Sequence, residues 1–425
     1  MIGVWTLCVL AFIILPFQLE SRTVTAYGFV LLAAFVVTFA AGSFLASPTM
    51  PKRREPYGKL LDLSLADKII RVAATVAIIA LLFDLANSDF SALDAAFKDR
   101  DERSVGVLMG RDTGGSLLFQ LAFLTYPVGA IAIAREILFR ERVNLISLGF
   151  FGFGPPVLAA LGMGGRGPIL YAILIMMVSF ATRRLLFPKV QQAKVRDASL
   201  QRIVVAVTLF LVMGVAMNYF VQVFVARASV MGGIEAMLQV SALNWGVSFD
   251  GAGSETLRSI VGDGNMYLIY VFLWYLVQGL VMSNAVFSDY GGDMTWGIYG
   301  LDLASAAMRR IDPQFVSNKF LPLVDINVYG FLPSAFGSLY VDFWYFAFIP
   351  TFAWGYAAGF VYRRIGISDD SRWVLIGPFI TVGIIVSLMN TPLGFANGLT
   401  THFWLLVVAF AIRPVSQTTK RTAPA

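Results

Sequence analysis

The sequence is poor in the residues that build metal centres and disulfides. Its 425 residues include one cysteine, Cys8, and one histidine, His402. A disulfide framework or a metal site made of cysteine and histidine needs several such residues in one chain. We therefore expect neither, and no metal or cofactor is expected for whatever this protein does.

Charged residues are scarce as well, at 14% of the chain, whereas 58% of the residues are hydrophobic and the mean hydropathy is +0.74. A soluble protein of this length cannot bury so much apolar surface, so part of that surface must face lipid. The 38 glycines are typical of helices that pack closely in a bilayer. The composition predicts an all-α polytopic membrane protein, formed by one domain over residues 1–425, with no nucleic-acid partner.

A membrane-spanning helix needs roughly 20 mostly apolar residues. Runs of this kind predict ten transmembrane helices, at 2–18, 26–47, 66–86, 115–138, 144–162, 166–182, 202–222, 336–362, 373–390 and 399–413. The first run has no basic segment before it and no cleavage pattern after it. We therefore interpret it as a retained span and not as a signal peptide.

Basic residues in the short loops predict the orientation, because such loops stay in the cytoplasm. They occur at 52–59, at 183–196, at Arg363 and Arg364, and in the tail at 420–421. The segments 87–113 and 203–335 carry more acidic than basic residues, and we expect them outside. The prediction is a multi-pass protein of the bacterial inner membrane with both termini cytoplasmic.

An eleventh apolar run, 265–283, does not fit this orientation, because an even number of spans must separate the basic loops near 196 and 364. One interpretation is that it is re-entrant or interfacial, since it carries Tyr267, Tyr270, Trp274 and Tyr275. The other is an additional span near 294–308. Either way, residues 223–335 form a large outward region.

Arg166 is the most unusual cation of the sequence. It lies in Gly165-Arg166-Gly167-Pro168, on the predicted outer side and at the start of a helix. A guanidinium beside a helix N-terminus is a suitable site for an anion. An arginine whose side chain only extends to the membrane interface is the alternative.

Two further arginines follow on the same side. Arg227 lies just beyond the 202–222 run, and two guanidiniums together are suited to bind a pyrophosphate. Arg227 can equally be an interfacial arginine. Arg258 is a weaker substrate-binding candidate, in a polar stretch where a solvated surface position is the alternative.

Acidic and aromatic residues are mixed in the outward region. Asp289 and Asp293 flank Tyr290 and precede Trp296, a combination that suits sugar binding; an ordinary solvated loop is the alternative. Asp342 lies about one turn inside an apolar run, where an ionisable group is costly. It can act as a general base or as the ion-pair partner of an arginine. His402 is a candidate for acid/base work or a polar interface residue.

At these residues the sequence resembles the bacterial O-antigen polymerase and oligosaccharide repeat-unit polymerase family (Wzy-type). The likeness lies in Gly165-Arg166-Gly167, in Arg227, in Gly291-Gly292-Asp293-Met294-Thr295-Trp296, and above all in Gly337-Ser338-Leu339-Tyr340-Val341-Asp342-Phe343. The last segment is similar to the family's G-x-L-Y-x-D-F-G pattern, except that Trp344 stands where a glycine commonly follows.

The resemblance implies a GT-C-like fold and a metal-independent glycosyltransferase. Such an enzyme joins repeat units carried on undecaprenyl pyrophosphate at the periplasmic face. Arg166 and Arg227 would bind the pyrophosphate, Asp342 would orient an arginine or accept a proton, and Arg258, Asp289, Asp293, Tyr340 and His402 would contact the donor and acceptor glycans. A chain-length regulator is a further candidate partner.

Three other functions remain open from the sequence. An O-antigen ligase would use an outer-face histidine, for which His402 is the one candidate. A transporter or flippase usually has matching halves with broken helices, and no such symmetry is visible. A non-enzymatic membrane subunit of a polysaccharide export system is the third.

Overall fold

The fold is described from a computed structural model of the chain. It describes residues 1–15, 17–20, 22, 24–48, 61–86, 102, 105–111, 116–140, 143–163, 165–186, 245–248, 252–367, 370 and 372–414, together with the single positions 214, 218, 221, 222, 225, 228, 233 and 236.

The regular secondary structure of the described chain is helical apart from two pairs of two-residue antiparallel strands. The helices are α1 (Ile2–Ile14), α2 (Ala26–Ala46), α3 (Ser64–Ala86), α4 (Leu117–Thr125), α5 (Val128–Phe139), α6 (Leu145–Gly162, with a π-helical turn at Leu148–Phe153), α7 (Gly167–Leu186), α8 (Ala252–Asp289), α9 (Asp302–Ile311), α10 (Pro313–Asp325), α11 (Ser334–Phe343), α12 (Phe348–Ile367), α13 (Arg372–Val386) and α14 (Gly398–Ala411). The strands are β1 (Gln18–Leu19), β2 (Leu61–Asp62), β3 (Val247–Ser248) and β4 (Arg413–Pro414), and β1 pairs with β3 and β2 with β4.

The all-α membrane fold is confirmed. Six helical segments of the described chain are long and apolar enough to cross a bilayer: Ala26–Ala46, Ser64–Ala86, Leu117–Phe139, Leu145–Gly162, Gly167–Leu186 and Asn265–Asp289. Five of them match predicted spans. On α2, Val30, Val37 and Phe44 lie seven residues apart and are 65–68% exposed, as expected for one face of a helix turned toward lipid.

Two hydrophobic cores hold the helices together. One is formed mainly by side chains of α3, α5, α7, α13 and α14. The other is formed mainly by α1, α2, α8, α10 and α11.

Helices α2 and α12 run parallel and touch along their backbones. A Cβ atom added to Gly355 would lie 2.0 Å from the Phe39 carbonyl oxygen, and one added to Gly359 would lie 2.2 Å from that of Ser43. The Gly355-x-x-x-Gly359 spacing places both glycines on one face, where small residues allow helices to approach closely in lipid. The last turns of α2 and α12 therefore lie at the same end of the bundle.

Ends of other helices lie at this same end of the bundle, which we call the basic end because of its arginines. Strand β2 before α3 pairs with β4 after α14, and Arg183 near the end of α7 donates to the Ile137 carbonyl of α5 at 2.7 Å. Arg364 in the last turn of α12 and Arg372 at the start of α13 lie there too. We call the other end, where α2, α4, α7 and α14 begin, the distal end.

A buried ion cluster joins three elements at the basic end. Arg135 of α5 pairs with Asp67 of α3 and, at 3.0 Å, with Glu136. Glu136, which is 2% exposed, also accepts from Arg140 at 3.1 Å and from the Asn144 backbone N–H at 2.8 Å, just before α6. Ionisable groups within apolar spans are usually paired in this way. Asp67, Arg135 and Glu136 lie within the predicted spans 66–86 and 115–138, so the sequence alone indicates costly ionisable groups there.

Some predicted spans differ from the structure. The predicted span 336–362 forms two helices in the structure. Trp344 adopts φ 50 and ψ −133, and this conformation ends the helix between α11 and α12. The predicted span 202–222 lies almost entirely outside the described residues. No continuous helix covers 294–308 in the described chain, since α9 begins only at Asp302. The predicted spans 2–18, 373–390 and 399–413 are shorter in the structure, where α1, α13 and α14 have 13, 15 and 14 residues.

Helix α8 connects several elements at the distal end. The Tyr275 hydroxyl accepts from Arg166 before α7 at 2.8 Å. Farther along, Ser283 lies 2.6 Å from the Ser334 hydroxyl at the start of α11, and the Asn284 side chain accepts from the Thr25 N–H at 2.8 Å before α2. The helix thus passes from the beginning of α7 to the beginning of α2. The segment is long and apolar enough to span a bilayer, and both interpretations of 265–283 stay predictions.

Candidate functional site

Unusual backbone conformations mark one region of the distal end. Non-glycine residues with positive φ cost of order 1–3 kcal/mol each and tend to occur at functional sites. Those in the described chain all fall between 296 and 397: Trp296, Asn327, Ser334, Trp344, Ala396 and Asn397. They lie in the turns that connect α8 to α14, so these turns form the candidate site.

The Asp342 carboxylate organises the first of these turns. It is 1% exposed, and its Oδ1 accepts from the backbone N–H groups of Gly297 at 2.9 Å and Tyr299 at 3.1 Å. The Thr295 hydroxyl also donates to Oδ1, and Gly300 N–H donates to Oδ2 at 2.9 Å. Each of these hydrogen bonds comes from the Thr295–Gly300 turn, and no arginine pairs with Asp342 among the described residues. The carboxylate therefore holds this turn in the structure, and the two roles considered from the sequence stay predictions.

Gly300 is required by this arrangement. A Cβ atom at Gly300 would lie 2.5 Å from Asp342 Oδ2, and the Gly300 carbonyl lies against the segment before α14, where Thr391 donates to it at 3.3 Å. Trp296 N–H donates to the Asp342 backbone carbonyl at 3.0 Å. The Trp296 side chain, which belongs to this turn, is 70% exposed.

Two tyrosines beside the carboxylate stay protonated. Burial raises the pKa of Tyr299 far above its ordinary value, and the nearby Asp342 charge adds to the shift. Burial also raises the pKa of Tyr290 to about 12, with smaller contributions from Asp342 and Asp293. Both phenols are therefore donors at neutral pH, and Tyr290 donates to the Asp293 carbonyl at 2.9 Å. Tyr340, a predicted substrate contact, is 3% exposed and packs its ring on Phe287 with centroids 5.3 Å apart.

Arg166 lies directly before the first turn of α7. Its guanidinium donates to the Tyr275 hydroxyl at 2.8 Å and lies 5.3 Å from the centre of that ring. The side chain is half-buried. A Cβ atom on Gly167 would lie 3.9 Å from the Ala396 side chain, which comes two residues before α14. The N-termini of α7 and α14 therefore lie close together, next to the residue that carries the guanidinium, and helix N-termini and a guanidinium are all electropositive.

The segment 387–397 between α13 and α14 is non-helical and lies deep in the bundle. The Tyr126 hydroxyl donates to the Ala396 carbonyl at 2.9 Å, and Asn397 donates to the Phe123 carbonyl. Both partners lie near the middle of the apolar helix pair Leu117–Phe139. At membrane depth, irregular backbone is tolerated only where protein covers it or where it lines a watery cavity. This segment connects the Arg166 region to the Asp342 turn, because it contacts both Gly167 and Gly300.

The remaining candidates lie outside this group or at its edge. Arg227 lies outside the described residues, and its predicted place beside Arg166 stays a prediction. Arg258 is exposed on α8 before the kink at Gly262. Asp289 is exposed at the end of α8, and the 88% exposed Asp293 side chain pairs with Lys319 at 3.1 Å. These acids neighbour the turn but do not enter it.

His402 lies one turn inside α14. Its Nδ1 is 2.7 Å from the Gly398 carbonyl, which can only accept a hydrogen bond. Nδ1 is therefore the protonated nitrogen of the neutral ring, and Nε2 carries the lone pair. The histidine can accept a proton at Nε2.

One arginine of the distal end was missed by the sequence reasoning. Arg22 donates through Nε to the Trp245 carbonyl at 2.7 Å and through its Nη atoms to the carbonyls of Ile326 and Asn327. It fixes β3 and the turn before α11 to the segment before α2. The signal was available, because Arg22 follows the first apolar run as a cation on the distal side, as Arg166 does.

Comparison with known proteins identifies no relative of this chain. No family model matches the chain, and searches of curated proteins and of solved structures give no match.

Proposed function

We propose that this membrane protein is a polysaccharide polymerase that joins lipid-linked oligosaccharide repeat units at its distal end, facing the periplasm. One observation carries the proposal: Arg166, the N-termini of α7 and α14 and the non-helical segment 387–397 are neighbours, beside the middle of the apolar helix pair Leu117–Phe139. That combination suits a diphosphate attached to a lipid, because the anion needs positive charge while its lipid remains in the bilayer.

The chemistry follows from this arrangement. A hydroxyl oxygen of the acceptor glycan attacks the anomeric carbon of the donor, and the bond from that carbon to the pyrophosphate oxygen breaks. The electron pair leaves with the pyrophosphate, where Arg166 and the helix N-termini stabilise the developing charge. Arg227 is proposed as a second guanidinium on the same group. The hydroxyl proton passes to a base, for which Nε2 of His402 has the lone pair.

In this proposal Asp342 has a structural role and does not act as the general base that the sequence suggested. Its oxygens are occupied by the Thr295–Gly300 turn, so we assign it the positioning of Trp296 and Tyr299 and not proton transfer.

Replacing Arg166 by alanine should abolish chain extension, because the leaving group loses its nearest guanidinium. Replacing it by lysine should restore only part of the activity, because lysine is a point charge without the planar fork. The measurement is glycan length on a gel, from a strain that lacks the native copy. Arg310→Ala is the matched control, since it removes one exposed positive charge from α9 and should leave chain length unchanged. Long chains from the Arg166→Ala protein would rule out the anion site.

The proposed orientation places the basic end in the cytoplasm. Strand β4, the last described element, is then on the cytoplasmic side, because it lies at that end. Met1 contacts Ser387 just past α13, at the opposite end of that helix from Arg372. This contact favours a distal position for Met1 and argues against the cytoplasmic N terminus expected from the sequence.

Reporter fusions test this orientation. Alkaline phosphatase fused after Ile311 should be active, because the enzyme folds only outside the cytoplasm. The same enzyme fused after Ala425 should be inactive, whereas a fluorescent protein at that position should fluoresce. The inverse pattern would reverse the orientation and place Arg166 on the cytoplasmic side.

A further inference from the structure

The turn that Asp342 holds presents an exposed tryptophan. Trp296 is 70% exposed, although proteins usually bury most of a tryptophan side chain. Its backbone has φ 56, a conformation that is costly for a residue other than glycine. The Trp296 N–H donates to the Asp342 carbonyl at 3.0 Å, and the other residues of the Thr295–Gly300 turn are buried or half-buried. The fold therefore maintains a strained turn that exposes one indole ring.

A carboxylate lies on the other side of the same turn. Leu301 N–H donates to the Gly297 carbonyl at 3.1 Å, and this bond brings the two ends of the turn together. Trp296 comes directly before this bonded pair, and the exposed Asp302 comes directly after it as the first residue of α9. A carboxylate has about four acceptor positions, so Asp302 can accept hydrogen bonds from a ligand besides its other interactions. An aromatic face and a charged acceptor thus flank one closed turn.

The surroundings of Trp296 favour a polar ligand over lipid. Asp293, three residues before it, has an 88% exposed side chain, and Asp302 is exposed six residues after it. Carboxylates are costly in the hydrocarbon layer, so a ring between two exposed carboxylates lies outside the acyl chains. By contrast, the exposed Val30, Val37 and Phe44 of α2 have no charged residue between them.

A sugar ring combines the two properties that suit this turn. One face of a pyranose carries C–H groups, which the negative face of an aromatic ring attracts, and its edge carries hydroxyls, which donate to a carboxylate. We infer that Trp296 and Asp302 form a sugar-binding subsite for the glycan of the lipid-linked substrate. The pyranose lies on the Trp296 indole, and its hydroxyls donate to the Asp302 carboxylate.

The subsite adjoins the proposed anion site through Gly300. The Gly300 carbonyl accepts from Thr391 of the non-helical segment 387–397 at 3.3 Å, and the same segment contacts the start of α7. The inference rests on the proposed function and adds the place of the glycan to it. The sugars extend from the diphosphate at the start of α7 toward Trp296.

Binding of methyl glycosides to the full chain in lipid nanodiscs tests the subsite. The probes are the methyl glycosides of glucose, galactose, rhamnose and N-acetylglucosamine, and saturation-transfer NMR measures their dissociation constants. Trp296→Leu keeps an apolar side chain that lipid accepts but removes the aromatic face, so it should weaken binding about fivefold. Trp296→Tyr keeps an aromatic face and should bind within about twofold of the wild type. Asp302→Asn replaces a charged acceptor by a neutral one and should weaken binding about threefold.

Phe346→Leu is the matched control. Phe346 is 61% exposed just before α12, so this change also replaces an exposed ring by leucine, and binding should equal that of the wild type. The subsite is overturned if no probe binds the wild type, or if Trp296→Leu binds the probes as the wild type does. If Trp296→Leu does not fold, unchanged binding by Asp302→Asn overturns it instead. Glycan length with Arg166→Ala is a separate readout, so the subsite and the polymerase can fail independently.

Discussion

Replacing Asp342 by alanine should lower the free energy of unfolding by about 4 kcal/mol. The carboxylate is the acceptor for the Thr295 hydroxyl and for the N–H groups of Gly297, Tyr299 and Gly300. Alanine leaves all four donors in a buried site without an acceptor, and each such loss is costly. Thermal unfolding of the purified protein measures the stability, and hydrogen exchange over 295–300 measures the loosening of the turn.

Two other substitutions distinguish a structural role of the Asp342 carboxylate from a role in the reaction. Asp342→Asn retains one acceptor oxygen and should have an intermediate effect. Asp293→Ala is the control, because its side chain is 88% exposed and its pair with Lys319 should contribute less than about 1 kcal/mol. An Asp342→Ala protein with wild-type stability and unchanged hydrogen exchange, but without chain extension, would show instead that the carboxylate takes part in the chemistry.

Replacing Gly359 by leucine should destabilise the protein by about 3 kcal/mol, because overpacking forces well-packed elements apart. The added Cβ atom would lie 2.2 Å from the Ser43 carbonyl oxygen and 2.9 Å from its carbon. Both atoms belong to the backbone of α2, so the clash cannot be relieved by a side-chain rotation. The melting temperature in detergent measures the effect, and Gly359→Ala should already show most of it.

Gly3→Ala is the matched control for this clash. No atom lies within 4 Å of a Cβ atom built on Gly3, which is exposed in α1. Alanine is the better helix former, so this change should raise the stability by up to about 1 kcal/mol. If Gly359→Ala stabilised the protein in the same way, the close contact between α2 and α12 would not be a determinant of the fold.

The spans of this fold could be predicted from hydropathy because each depends on its own composition. Ala26–Ala46 is uncharged over its full length and Gly167–Leu186 is uncharged as far as Arg183, and no distant residue is needed to find them. The break at Trp344 could not be found in this way, since the run around it is uninterrupted. Its conformation is fixed by tertiary contacts, such as the bond from the Trp344 indole to the Gly292 carbonyl at 3.1 Å.

The candidate site was predictable in its charges but not in its contacts. Arg166 was identifiable as a cation at a helix N-terminus, whereas its partner Tyr275 is 109 positions away in the sequence. Asp342 was identifiable as a costly carboxylate, but no periodicity indicates that a turn 42–47 residues earlier wraps around it. Long-range partners of this kind depend on the packing of the whole chain.

The short helices α13 and α14 have a consequence for the lipid-linked donor of the proposed reaction. Fifteen and fourteen residues rise about 22 and 21 Å, whereas the hydrocarbon layer is about 30 Å thick. Each helix is therefore roughly 8 Å shorter than that layer, and the non-helical segment 387–397 lies between the two. In the proposed polymerase, this difference would allow a prenyl-linked donor to bring its phosphates below the surrounding headgroups while its isoprenoid tail stays in the hydrocarbon. The transfer would then take place below the level of the surrounding headgroups, and the growing polymer would leave upward into water.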